Sequence, residues 1–147
     1  MTAPDTSGQL AEQLLRLTRR LHRAQKRYLD PVGITPAQSR LLRTVAYYET
    51  PPRMADLARH LEVVPRAVTT LVDALETNGA VRRVPDQSNR RVIRIELTDQ
   101  GRTTLKALRD ARRAAVEDIL APLRPEQREV LGGLLDELLA GPDRGAL

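Results

Sequence analysis

Cysteine, tryptophan and phenylalanine are absent from this chain, and tyrosine occurs only as Tyr28, Tyr47 and Tyr48. Without cysteine there can be no disulfide, no thiolate metal site and no cysteine-based redox sensing. The missing rings mean an aliphatic core, and they argue against recognition of RNA or single strands by aromatic stacking. The two histidines, His22 and His60, are far apart in the chain and neither has a ligand-spaced partner, so no metal site is expected. No nucleophile–base pair, metal set or phosphate loop can be found, so the chain does not read as an enzyme, and no cofactor is expected. The opening MTAPDTSG lacks a charged region followed by an apolar one, and no apolar run approaches a membrane span. The expectation is a cytoplasmic protein with no membrane partner.

What the chain does have is arginine. Basic residues number 24 against 19 acidic ones, for a formal charge of +5, and only Lys26 and Lys106 are lysines. Codon bias explains such a ratio as well as function does, although guanidinium forks suit phosphates and groove edges better than ammonium groups. Where the arginines fall has to decide.

The most informative stretch runs from Met54 to Arg102, MADLARHLEVVPRAVTTLVDALETNGAVRRVPDQSNRRVIRIELTDQGR. Leu57, Ala58, Leu61, Val63, Val68 and Leu71 recur where two short helices crossing at a tight turn must press together. Pro65 suits the first turn of the second helix, because its missing N–H costs nothing there. The turn Glu62-Val63-Val64 has no glycine, so a left-handed position in it would fall on a residue with a side chain, at some strain. Asn78-Gly79 reads as a left-handed helix end. Ala80 to Val84 then runs extended, Pro85 to Asn89 is a turn cluster, and Val92 to Leu97 alternates. Ile93, Ile95 and Leu97 fall on an apolar face, with Val92, Arg94 and Glu96 on a charged face expected to point outward. Residues 82–94 hold five arginines against Asp86 alone, whereas a merely solvated hairpin usually mixes its signs.

Around this stretch lie further helices. Leu10, Leu14, Leu17, Leu21, Ala24 and Tyr28 draw one stripe along a helix from Gln9 to about Leu29. Its other faces carry Arg16, Arg19, Arg20, Arg23, Lys26 and Arg27, which reads either as a solvated or partner-paired surface or as a DNA-binding arm. Thr35, Pro36 and Gln38 open a second helix with a capping box, and Leu41, Leu42, Val45, Ala46 and Tyr48 form its inward face. Arg53 and Met54 can add a brief strand. Thr98 caps a long helix to about Ala121, and Gly101 sits where its first turn can pass close to another backbone. A last helix, Glu126 to Ala140, carries Val130, Leu131, Leu134, Leu135, Leu138 and Leu139. Gly132-Gly133 within it marks either a close helix crossing or a kink.

The division expected is a flexible start over 1–8, a dimerisation helix over 9–30, a DNA-binding head over 35–101, dimerisation helices over 102–140 and a flexible tail over 141–147. The first and the last two helices are too apolar on one face for a small head to cover. They are expected to be buried together against a second copy, in a two-fold homodimer. A monomeric bundle is the other possibility.

Together, Thr35-Pro36-Ala37-Gln38, the paired helices, Leu75-Glu76 with Gly79, the stretch Asp86 to Arg91, and Leu97-Thr98 with Gly101 resemble the MarR family of bacterial transcription regulators over nearly the whole chain. The resemblance implies a mainly α fold with a small β-hairpin, a winged helix-turn-helix. Arg91 and Thr98 keep the spacing of the family's Asp-x-Arg wing motif, but Asn89 stands at its acidic position, which removes an ion pair that would brace the arginine.

By this resemblance, double-stranded DNA with a pseudo-palindromic operator is the partner, and Pro65, Arg66, Ala67, Thr69, Thr70, Arg82, Asn89, Arg90 and Arg91 form the DNA-binding set. Arg66 can meet base edges or phosphate, Ala67 a thymine methyl, and Thr69 and Thr70 phosphate oxygens. Arg90 and Arg91 carry the wing into the minor groove. The family's typical behaviour is repression relieved by a small phenolic or anionic effector. Arg16, Arg20, His22, Tyr47 and Tyr48 are candidates to line its crevice, although His22 and both tyrosines fit first as packing residues. The rival reading is a winged helix that docks an acidic protein partner.

Overall fold

A computed structural model describes residues 5–141; the ends of the tails expected over 1–8 and 141–147 lie outside it. Helix α1, Thr6–Leu29, starts earlier than its apolar stripe, because the Asp5 carboxylate accepts from the Gly8 N–H at 3.0 Å and caps it. A 3-10 turn, Asp30–Val32, leads to α2, Pro36–Tyr47, whose capping box forms as expected between Thr35 and Gln38.

Helices α3, Met54–Leu61, and α4, Pro65–Thr77, make the helix-turn-helix. Its turn carries the anticipated strain, since Glu62 is left-handed at φ 55 and ψ 43. At the far end of α4 only Gly79 is left-handed; Asn78 remains helical. Strands β1, Val81–Pro85, and β2, Ile93–Leu97, pair antiparallel with Val81 opposite Leu97 and Val84 opposite Arg94. The brief strand near Arg53 is a single bridge to Arg94, and Met54 already belongs to α3. Helix α5 spans Asp99–Leu120 and α6 spans Pro125–Leu139.

The core is aliphatic and lies in the head and against the α5 helix behind it. Leu41 and Leu42 of α2, Leu57 of α3, Val68, Val72 and Leu75 of α4, Val81, Ile95 and Leu108 are essentially sealed from solvent. Burying one such side chain fully is worth about 1.5–3 kcal/mol. Ala46, assigned to the inward face of α2, is exposed, and Tyr47, expected first as a packing residue, is 65% exposed, because α2 ends there and its last turn projects past the core.

Outside the head, α1 packs along α5, while among the described residues no element packs broadly on α6. Leu10, Leu14 and Leu17 of α1 are about half exposed, as are Leu134 and Leu135 of α6, and Leu138 is more so. Neither Gly132 nor Gly133 approaches another described part of the chain, and α6 runs through both without a break. Among the described residues, no helix is long and apolar enough to cross a membrane.

Gly101 does make the close approach expected of it. A Cβ there would stand 2.0 Å from the Ala80 carbonyl oxygen. The Thr98 N–H donates to that same oxygen at 3.1 Å, and the Thr98 hydroxyl both accepts from the Gly101 N–H and donates to the Gly79 carbonyl. Gly101→Ala should therefore cost about 2–3 kcal/mol by forcing two backbones apart. Urea unfolding would show a lower midpoint at constant slope; an unchanged midpoint would mean that the crossing is not tight.

Candidate nucleic-acid interface

Helix α4 buries Val68, Val72 and Leu75 and turns Pro65, Arg66, Thr69, Thr70 and Asp73 outward. Its first turn has no side-chain cap, so its N–H groups and positive dipole end face outward uncommitted to a side chain. Arg66 is exposed beside them, with no ion pair among the described residues, and Ala67 is half-buried. The hydroxyls of Thr69 and Thr70 donate to the carbonyls of Pro65 and Arg66, each at 3.2 Å. To give a proton to phosphate either threonine would have to break that bond. One exposed residue escaped the sequence reading: Val64, the N-cap of α4, is 67% exposed and presents an apolar group beside Arg66.

The hairpin's arginines divide into two groups. Arg82 pairs with Glu96 across the strands. Arg83 reaches α4, where it bonds Asp73 at 2.5 Å and Glu76 at 2.7 Å, contacts that hold its pKa above the ordinary value despite partial burial. Arg94 pairs with Asp86 at 2.5 Å. Arg90 and Arg91, by contrast, have exposed side chains with no partner among the described residues. The charged face of the hairpin is thus not simply solvated, as the alternation had suggested. At Arg94 it folds down against the segment that joins α2 to α3, and the Arg94 side chain keeps only 24% of its exposure.

Asn89 does not hold a guanidinium; its side-chain oxygen accepts the Arg91 backbone N–H at 3.2 Å. The carboxylate at work in this turn is Asp86, which accepts from the N–H groups of Ser88 and Asn89 and from the Ser88 hydroxyl at 2.7 Å. An Asp followed by Ser two positions later in a turn cluster is a legible signal for this local bonding. The reach of Arg94 to Pro51 left no mark in the sequence.

The expected effector set is not gathered in one place. Arg20 lines a cleft of about 360 Å3 between α1 and α5, with Arg23, Arg27 and Asp118. Tyr48 lines a second cleft, beside Pro51 and Ile95. Tyr47 lines a third, of about 260 Å3, with Arg40, Arg43, Thr44, His60 and Arg112. Arg16 and His22 are exposed on α1. In the third cleft the Nε of Arg43 is buried without a partner among the described residues. Its guanidinium is pushed below its usual pKa by burial and by the nearby charges of Arg112 and Arg40. Tyr47, Tyr48 and His60 form a ring cluster with centroids 5.7–6.1 Å apart. No cluster of His, Asp and Glu able to hold a metal occurs among the described residues.

An outward-facing second helix of a tight helical pair, flanked by a hairpin with unpaired cations, defines a winged helix-turn-helix protein. The MarR family model matches residues 34–93, which is the head up to the start of β2. The chain is 38% identical over 103 residues to the HTH-type transcriptional repressor Rv2887 of Mycobacterium tuberculosis, an alignment covering 69% of this chain and 73% of that one. It is 30% identical to the HTH-type transcriptional repressor MdtR of Bacillus subtilis over 67% of this chain, and spans 63% of MdtR. Among solved structures, YusO of Bacillus subtilis superposes with a TM-score of 0.83 at 25% identity, covering 96% of this chain and all of the other. Rv2887 in complex with DNA superposes with a TM-score of 0.73 at 29% identity, over 93% and 98% of the two chains. The chain belongs to the MarR family of transcription regulators.

The bonds to Ser88, first, and to Arg94 hold the Asp86 carboxyl far below its ordinary pKa of 3.8. A depressed native pKa means that its contribution to stability is complete above about pH 4 and fades only as pH falls toward the native value. A carbon-detected NMR titration should find Asp86 still ionised at pH 3, where ordinary carboxyls are mostly protonated. A midpoint near 3.8 would show that the turn bonds are not maintained in solution.

Proposed function

We propose that this protein is a homodimeric, sequence-specific DNA-binding repressor that leaves a pseudo-palindromic operator when a small anion occupies a cleft beside its reading head. One observation carries the DNA reading. Of the cations on the hairpin, those near the core are paired with acids, while Arg90 and Arg91 at the tip have no partner among the described residues. Cations left unpaired on a projecting turn suit a polyanion, and a narrowed A·T-rich minor groove concentrates negative potential for them. Arg66 and the uncapped start of α4 would then meet the adjoining major groove, with Pro65 and Ala67 close by and Thr69 and Thr70 along the backbone. Arg82, tied to Glu96, and Asn89, which shapes the turn, would contribute less directly. The complex of the relative Rv2887 with DNA supports this reading.

The half-exposed leucines of α1 and α6 support the dimer, since contiguous apolar faces of this kind mark interfaces. So does their charge: six cations lie on α1 against Glu12, whereas α6 carries Glu126, Glu129, Asp136 and Glu137 against Arg128. For the effector, the Tyr47 cleft fits better than the α1 residues Arg16, Arg20 and His22. Three guanidiniums converge there with no acid, and a flat anion would relieve their repulsion while lying against the rings. Bound between α2, α3 and α5, it could alter DNA affinity only by favouring one placement of the head over another.

Fluorescence anisotropy on a duplex that the protein selects from a random pool tests the DNA reading. Arg91→Ala should weaken binding to every sequence and lower the salt slope by about one. Unchanged affinity and slope would remove the wing from the mechanism, and equal loss of all DNA at physiological salt would favour an acidic protein partner. For the cleft, 2-hydroxybenzoate serves as a probe. It should release DNA from the wild-type protein and not from Arg43→Leu; equal release from both would place the effector elsewhere.

A further inference from the structure

The turn that carries Arg90 and Arg91 is tethered from outside the hairpin. One oxygen of Asp86 accepts from within the turn, from the N–H groups of Ser88 at 3.2 Å and Asn89 at 3.1 Å and from the Ser88 hydroxyl. The other accepts from Nε of Arg94 at 2.5 Å. The same guanidinium donates through Nη1 to the Pro51 carbonyl at 2.6 Å. Beside it the Ile95 N–H donates to the Pro52 carbonyl at 2.9 Å, and Arg53 bridges Arg94. The side chains of Asp86 and Arg94 are 14% and 24% exposed, far less than a surface pair that merely happens to meet. Asn89 holds only a backbone N–H, so the described residues offer no other carboxylate that ties this turn down.

We infer that Asp86 and Arg94 are positioning residues for DNA recognition, forming a strut from Pro51 to the wing turn that holds Arg90 and Arg91 ready for the groove. The inference rests on the reading of those two arginines as DNA contacts. Its physical content is preorganisation: a turn that is already ordered loses little freedom on binding, whereas a loose one must be ordered at the expense of affinity. The strut also joins the wing to the segment that follows α2, the helix whose last turn carries Tyr47 into the three-arginine cleft.

Electrostatics and the strut make opposite predictions for Asp86→Asn. Removing a carboxylate near a polyanion, and freeing the Arg94 cation, should by charge alone tighten binding. Loss of the strut should weaken it. With the full-length protein and a labelled duplex selected by the wild type from a random pool, Asp86→Asn should bind roughly tenfold more weakly with its salt slope unchanged. Arg91→Ala should lower the slope, and the double variant should lose little beyond Arg91→Ala alone, because a misplaced arginine that is absent cannot be misplaced further. In the free protein, backbone order parameters over residues 87–92 should fall from about 0.85 to under 0.6 while α4 and β1 stay rigid. Arg94→Gln breaks the strut from its other end and should loosen the same residues, which covers the case in which Asp86→Asn folds poorly. Equal or tighter binding by Asp86→Asn, a turn that stays ordered in both variants, or losses that multiply in the double variant would each overturn the strut. If Arg91→Ala alone leaves affinity intact, the DNA reading of the wing fails, and the order parameters still decide whether the strut exists.

Discussion

The head is held to the long helix behind it by the contact of α5 with Ala80. There the Ala80 carbonyl receives the Thr98 N–H at 3.1 Å and lies where any side chain at position 101 would be. The Thr98 hydroxyl ties the Gly79 carbonyl to the first turn of α5. One small crossing therefore sets the end of α4, the start of β1 and the start of α5 together. Because α4 presents Arg66 and the hairpin presents Arg90 and Arg91, the spacing between α4 and the hairpin turn is an outcome of this crossing. Arg83 reinforces it from the side by joining β1 to Asp73 and Glu76 of α4.

Charge is distributed by the fold, and a count along the chain misses that. Five arginines against one aspartate over residues 82–94 suggest a strongly cationic hairpin. In space, Glu96, Asp73, Glu76 and Asp86 neutralise three of them, and the net field is concentrated at the turn. A cation beside a fixed acid is a structural link, and a cation without one is free to meet a phosphate. The same distinction applies in the Tyr47 cleft, where Arg40, Arg43 and Arg112 approach one another with no acid between them. Such crowding leaves the three guanidiniums in mutual repulsion, which lowers the Arg43 pKa.

Much of the fold was legible in the residues themselves. The capping box at Thr35 and Gln38, the left-handed Glu62 turn, the Gly79 helix end and the alternation of β2 are all local, set by backbone sterics and by bonds spanning a few residues. Gly101 could be singled out from its place in a first turn, and the apolar stripes of α1 and α6 from their period. Helix α1 nevertheless begins at Thr6, ahead of its stripe, because an Asp5 cap extends a helix without needing an apolar face. Ala46, placed on the inward face by its period, is exposed, and Tyr47 projects beside it, because a helix end can pass beyond the core it leaves.

The sequence by itself determined the kind of reader this is: two short helices, an alternating hairpin rich in arginine, and terminal helices too apolar to stand alone. Short-range rules suffice for these, since period, capping and turn chemistry act over one or two turns of chain. Only the tertiary structure decided which arginines are free, that Asp86 and Arg94 join the wing to Pro51, and that Arg43 faces Arg112 across α2 and α5. Those partners meet across a hairpin, between a strand and a helix, or, for Arg94 and Pro51, over 43 residues of chain, where no helical or strand period records which charge will meet which; their meeting is set by how the aliphatic core closes.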